Sequence, residues 1–232
     1  MLELIKAGGL LMWPIIICSV ISLAIIMERF WSLQEKRIAP KHLVAQVWQW
    51  AKVGHLDSKR IQNLRTSSPL GRVLAAGLVN RSHERVVMKE SIEEVGRHVA
   101  HTLERFLNTL GTIASISPLL GLLGTVIGMI KVFAVITTHG VGDASILAEG
   151  ISEALLTTAA GLSVAIPTLM FHRYFRGKVD ELVMTMEQEA LKMVEVIQGL
   201  REDEYTAQEN VTQGNANQEN ASLESHARDS TE

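Results

Sequence analysis

The sequence predicts an all-α integral membrane protein with three transmembrane helices and long cytoplasmic helical extensions. Three observations predict it. Uncharged runs occur at 8–27, 106–130 and 154–171. Basic residues are segregated to particular intervening segments. Apolar residues recur every three or four positions beside the later runs, the period of a helix and not of a strand.

The first run, read as the span 8–27, holds 20 residues without a charge. That is about what is needed to cross roughly 30 Å of hydrocarbon at about 1.5 Å per residue. A cleaved signal peptide is the competing reading. The length of the run, the missing Ala-x-Ala pattern and Glu28 directly after it favour a span. Pro14 either lies near the start of the regular helix, where its absent N–H costs little, or kinks it. The second span is read as 106–131. The third helix begins near Ala144 and its span is read as 147–171. Glu153 then lies about two turns inside that helix, and Glu149 one turn further out.

Fourteen Lys and Arg fall in 28–105, none in 132–153 and six after the third run. The positive-inside rule therefore places 28–105 and the C-terminal part in the cytoplasm, with residues 1–7 and the 132–146 loop outside. Within 28–105 two helices are expected, joined at the Ser67-Ser68-Pro69 breaker. From Glu84 onward Met88, Ile92, Val95, Val99, Leu103, Phe106 and Leu110 form one stripe with no strong break. It predicts a single helix of roughly 50 residues, about 75 Å long, continuing through the second span. A second stripe, Val179, Leu182, Met186, Ala190, Met193 and Ile197, marks a cytoplasmic helix over 172–202. It packs either on its own subunit or between subunits. Residues 203–232 are polar and poor in large apolar side chains, and are expected to be disordered.

Composition narrows the function. A formal net charge of −3 gives no reason to expect a nucleic-acid partner, and the single Cys18 makes no internal disulfide. His98 and His101, with Glu94, lack further ligands at matching spacing for a metal site. No nucleophile–base set, phosphate loop or dinucleotide fingerprint is present, so neither an enzyme nor a cofactor is expected. Membrane lipid is the expected surrounding of the three runs.

Glu153 is the most informative residue. A carboxyl inside a span is costly, so it faces a cavity or a partner, where it can carry a proton; alternatively it lies near the headgroups and marks a helix start. Thr157 shares its face at i+4, while Thr158 is about 140° round an ideal helix. Thr125 lies in the second span. Hydroxyls in a span either line a wet path or bond their own backbone at i−4. Gly121, Gly124 and Gly128 in the second span, and Gly161 with its neighbouring alanines in the third, provide small faces for close helix packing. Pro118 and Pro167 are candidate kinks.

Three stretches carry a resemblance: GGLLMWPIIICSVISLAIIMERFW (8–31), SPLLGLLGTVIGMIKVF (117–133) and GISEALLTTAAGLSVAIPTLM (150–170). With the order of the spans, they make residues 5 to 200 resemble the MotA/TolQ/ExbB proton-channel family, most closely its ExbB branch. The resemblance implies a homopentamer in the inner membrane of a Gram-negative bacterium, with a periplasmic N-terminus and a cytoplasmic C-terminus. It implies a pore holding an ExbD-type dimer that supplies the essential aspartate, and a TonB-type protein as mechanical output for iron uptake. It places Glu153, Thr125 and Thr158 on the pore, and so ranks Thr158 above Thr157, the residue that helix geometry favours. A TolQ-type role in envelope constriction and a passive membrane scaffold are the rival readings.

Overall fold

The computed structural model describes residues 8–52, 56–139 and 144–229, and every regular element among them is a helix. In chain order these are α1 (Met12–Ser32), α2 (Glu35–Ile38), α3 (His42–Lys52), α4 (Ser58–Ser67), α5 (Pro69–Val79), α6 (Arg85–Glu104), α7 (Leu107–His139) and α8 (Ala144–Asp229). Among the described residues, three helical stretches are long and apolar enough to cross a membrane: Met12–Ser32, and windows within Arg85–Thr137 and Leu147–Gly199. The expected N-terminal segment 1–7 lies outside the described residues.

The described residues fall into two units. The first contains those of Met1–Arg37 and Val99–Val183. Here α1 begins two residues before Pro14, which therefore sits in the first turn, where an N–H would have no helical partner. Ile15, Ile26 and Arg29 on one side of α1 are buried, while Trp13, Ile17, Val20, Leu23, Met27 and Trp31 are exposed. Phe30 meets Phe175 edge to face at 5.0 Å and Phe171 at 5.7 Å, tying the end of α1 to α8. Pro118 and Pro167 both lie inside helices that continue past them.

The second unit contains the described residues of Ile38–His98 and Met184–Glu232. The Ser68 breaker separates α4 from α5: its hydroxyl accepts from the Gly71 N–H at 3.0 Å, and Pro69 takes the first helical position. The region 28–105 nevertheless holds more than the two helices expected. Pro40 precedes α3, Asp57 caps α4 by accepting from the Ser58 N–H, and a turn over 80–83 precedes α6. Met193 packs against Gly77 of α5, close enough that a Cβ there would stand 2.6 Å from its Cε.

The helix bounds differ from the expected ones in three places. The helix predicted to run unbroken from Glu84 through the second span is broken at Arg105 and Phe106, and Phe106 takes a left-handed backbone with φ 66°. The physical reason is a contact from outside the helix, described below. The loop read as 132–146 is shorter, because α7 runs on to His139 and α8 starts at Ala144. Apolar and helix-compatible residues continue past Lys131, so nothing stops the helix where the charge stands. The backbone of α8 continues from the third span through 172–202 to Asp229, across the stretch expected to be disordered. Within that helix Val179, Leu182, Met186, Ala190, Met193 and Ile197 are buried by residues of the same chain.

Candidate functional site

The seam between α7 and α8 is built from small residues. Gly121 lies against the backbone of Thr157 and Thr158, Gly124 against the Thr157 side chain, and Gly128 against Ala154 and the Gly150 carbonyl. From the other side Gly161 faces the Ser117 carbonyl and the Gly121 backbone. A Cβ at Gly161 would stand 2.6 Å from the Ser117 oxygen, so the two backbones meet with no room for a side chain. These residues are spaced by three and four on each helix, so they fall on one line. That line fixes how α8 is turned toward α7.

This rotation decides where the hydroxyls go. Thr157 is buried in the seam, 1% exposed, and its hydroxyl donates to the backbone carbonyls of Glu153 (3.1 Å) and Ala154 (2.9 Å). Thr125 donates to the Leu122 carbonyl at 2.6 Å, within its own helix. Thr158 instead donates across the seam to the Gly121 carbonyl at 2.9 Å. Of the three threonines, then, Thr158 bonds the facing helix, and Thr157 and Thr125 bond their own backbone.

Glu153 lies one turn before Thr157, and its carboxylate meets Lys131. The Lys131 Nζ donates to Oε1 at 2.7 Å and to Oε2 at 2.8 Å. Lys131 is eight residues short of the end of α7, about 12 Å along the axis, and is flanked by Ile130, Val132 and Phe133. The Glu153 side chain is 18% exposed and that of Lys131 54%. Gly9, in the turn before α1, closes another side. It has φ 66°, and a Cβ added there would collide with the Glu153 carboxylate. Glu153 is thus held between an ammonium from α7 and a bare stretch of backbone near α1. Sequence reasoning singles out neither Lys131 nor Gly9 as a site residue. The available signal is a cation and a carboxylate, each at the edge of an apolar run, where charges pair.

The break before α7 has its own polar support. Arg29, 4% exposed, donates from Nη1 to the Leu103 carbonyl at 2.9 Å and from Nε and Nη2 to Glu28 at 2.5 and 3.0 Å. Its guanidinium carbon lies 5.3 Å from the centre of the Phe106 ring, and that of Arg105 lies 4.7 Å away. Arg29 of the Glu-Arg pair that ends the first apolar run therefore caps the C-terminal turn of α6. A cleft of about 630 Å³ opens beside the break, with His101, Arg105, His172 and Arg176 among its walls.

The model of the MotA/TolQ/ExbB proton channel family matches residues 65–188, more than half of the chain. A putative ExbB-like biopolymer transport protein of Synechocystis sp. is 33% identical over 169 residues, 72% of this chain and 66% of its own length. Biopolymer transport protein exbB1 of Vibrio cholerae is 30% identical over 165 residues, 69% of this chain and 72% of its own length. The Tol-Pal system protein TolQ of Haemophilus influenzae is 37% identical over 81 residues, 35% of this chain and 36% of its own length. Among solved structures, C. jejuni MotAB is similar in fold, with a TM-score of 0.55 at 17% identity, over 84% of this chain and 77% of that one.

Proposed function

The chain belongs to the MotA/TolQ/ExbB proton channel family, and we propose on that premise that it is the channel-forming subunit of an ExbB-type complex coupling the proton motive force to TonB-dependent outer-membrane transport. In this reading it is not an enzyme and takes no cofactor. It sits in the inner membrane of a Gram-negative bacterium, N-terminus periplasmic and C-terminus cytoplasmic, as a homopentamer around an ExbD-type dimer.

The observation that carries the proposal is the place of Glu153: a carboxylate mostly withdrawn from solvent on an apolar helix, held by an ion pair from the neighbouring span. A carboxylate inside a span is costly, and such groups mark functional sites. Protons enter from outside, pass Glu153 and an aspartate of the partner, and leave to the cytoplasm. Each charge moved releases about 2.3 kcal/mol per 100 mV of membrane potential, so substantial mechanical output through a TonB-type protein takes several protons. Thr158 joins Glu153 in the proposed pathway, its hydroxyl bonding across the seam to the Gly121 carbonyl. Thr157 and Thr125 stay in the proposed pathway as neighbours on the same two helices.

The test is energy-dependent uptake of an iron chelate in cells carrying Glu153→Gln, with assembly checked by native mass in detergent. The amide keeps the size of the side chain and gives up the transferable charge. Normal assembly with lost uptake is expected. Normal assembly with normal uptake overturns the proton path and puts a passive scaffold in front.

The match to TolQ supports a second reading, energising of envelope constriction. Expressing the chain in cells lacking ExbB, and separately in cells lacking TolQ, distinguishes the two by which defect is repaired.

A further inference from the structure

We propose that Lys131 is a tethered counter-ion that occupies the proton site of Glu153 at rest, so that the carboxylate takes up a proton only when the ammonium has swung away. The proposal deepens the channel reading above and rests on it.

Both carboxylate oxygens are already used. Lys131 donates to each at 2.7 and 2.8 Å, so a proton reaching Glu153 competes with the ammonium for the same carboxylate charge. Among the described residues, the elements around the pair bring few other charges. Residues 8–27 carry none, Lys131 is the only Lys, Arg, Asp or Glu of α7, and α8 adds Glu149 one turn before Glu153. The two ends of the pair are unequally held. Glu153 is packed against Gly9 and stands one turn from the small-residue seam, while the Lys131 side chain is three times as exposed, 54% against 18%. Lysine also has a flexible four-carbon stem and a compact head. The movable partner is therefore the ammonium.

The charge balance gives the opening a direction. The closed pair is neutral. A proton added to the Glu153 carboxylate converts it to the neutral acid. The pair then carries one positive charge, located on a lysine that has lost its acceptor. An unpartnered ammonium in an apolar helix is costly, so it moves toward any carboxylate a partner helix presents. Departure of the ammonium and uptake of one proton are thus coupled one to one. The same step in reverse expels the proton when the ammonium returns.

The full-length chain, purified in detergent, tests this through a carbodiimide that adds to the protonated carboxyl group, with Glu153 labelling followed by peptide mass at neutral pH. Native chain, Lys131→Met, Lys131→Gln and Lys131→Arg are compared, with Glu153→Gln as the blank for the assignment. Lys131→Met and Lys131→Gln are expected to label about fivefold faster than native, the factor set by losing a pair of modest strength. Lys131→Arg keeps the charge and is expected to label at the native rate. Native-like labelling in the neutral variants overturns the proposal, as does Lys131→Arg labelling faster than native. The arginine arm decides alone if neither neutral chain assembles. Labelling needs no ion flux, so the counter-ion role can fail here while the uptake experiment still supports the channel, and the reverse also holds.

Discussion

Arg29 at the end of α1 donates to the carbonyl of Leu103, 74 residues further along the chain, at 2.9 Å. The bond stands one residue before the end of α6 and holds the chain where Phe106 turns left-handed. Replacing Arg29 by Met keeps most of the apolar stem but leaves that carbonyl without its charged donor. A loss of about 2 kcal/mol is expected for Arg29→Met, in the range of bonds to a charged group. It is read as a lowered denaturation midpoint in a fixed detergent. An unchanged midpoint would mean that the helix end is satisfied in another way.

Phe106 gives a second check on the same break. A β-branched residue at φ 66° meets a steric cost of about 1–2 kcal/mol that glycine escapes. Glycine and valine both lose the ring under the Arg29 and Arg105 guanidiniums, so comparing them isolates the backbone. Phe106→Gly is expected to be more stable than Phe106→Val. The opposite order would show that the helix runs through position 106.

The seam of glycines invites a contrast between two positions on one helix. Gly161 faces backbone atoms that have no rotamer to change, and Gly177 has nothing within 4 Å of a built Cβ. Gly161→Leu is expected to abolish assembly, seen as loss of the native mass. Gly177→Ala is expected to raise stability by about 0.5–1 kcal/mol, the usual gain from replacing a helical glycine by alanine.

Gly9 is the position where space and backbone conformation make the same demand. Its φ of 66° disfavours any side chain, and a Cβ there would displace the Glu153 carboxylate. On the proposed function, Gly9→Ala should reduce iron-chelate uptake while the protein still inserts and assembles. Undiminished uptake would show that the turn before α1 does not bear on Glu153.

What can be read in the sequence is whatever repeats locally. The apolar runs and the stripe from Val179 to Ile197 follow from helical period, and each is plain within a window of a few turns. The break at Phe106 is hidden because nothing near it in sequence breaks a helix; its cause is an arginine from another helix. The partner of Glu153 is hidden for the same reason, since Lys131 stands 22 residues away and reads as the border of a span. For the hydroxyls, the ideal helix places Thr157 beside Glu153 but cannot say that its proton goes to the Glu153 backbone. That outcome depends on the seam turning Thr157 toward Gly124.

The α7–α8 seam also has a consequence for heating. Gly121, Gly124, Gly128, Ala154 and Gly161 have almost no rotamer freedom to lose, so bringing these two helices together costs little side-chain entropy. The side-chain share of the penalty that grows with temperature is correspondingly small there, set against the backbone freedom that the four glycines give up. It is larger where Met193 and Ile92, with longer side chains, must be ordered around Gly77. Amide exchange followed at rising temperature should therefore quicken first in α5 and α6.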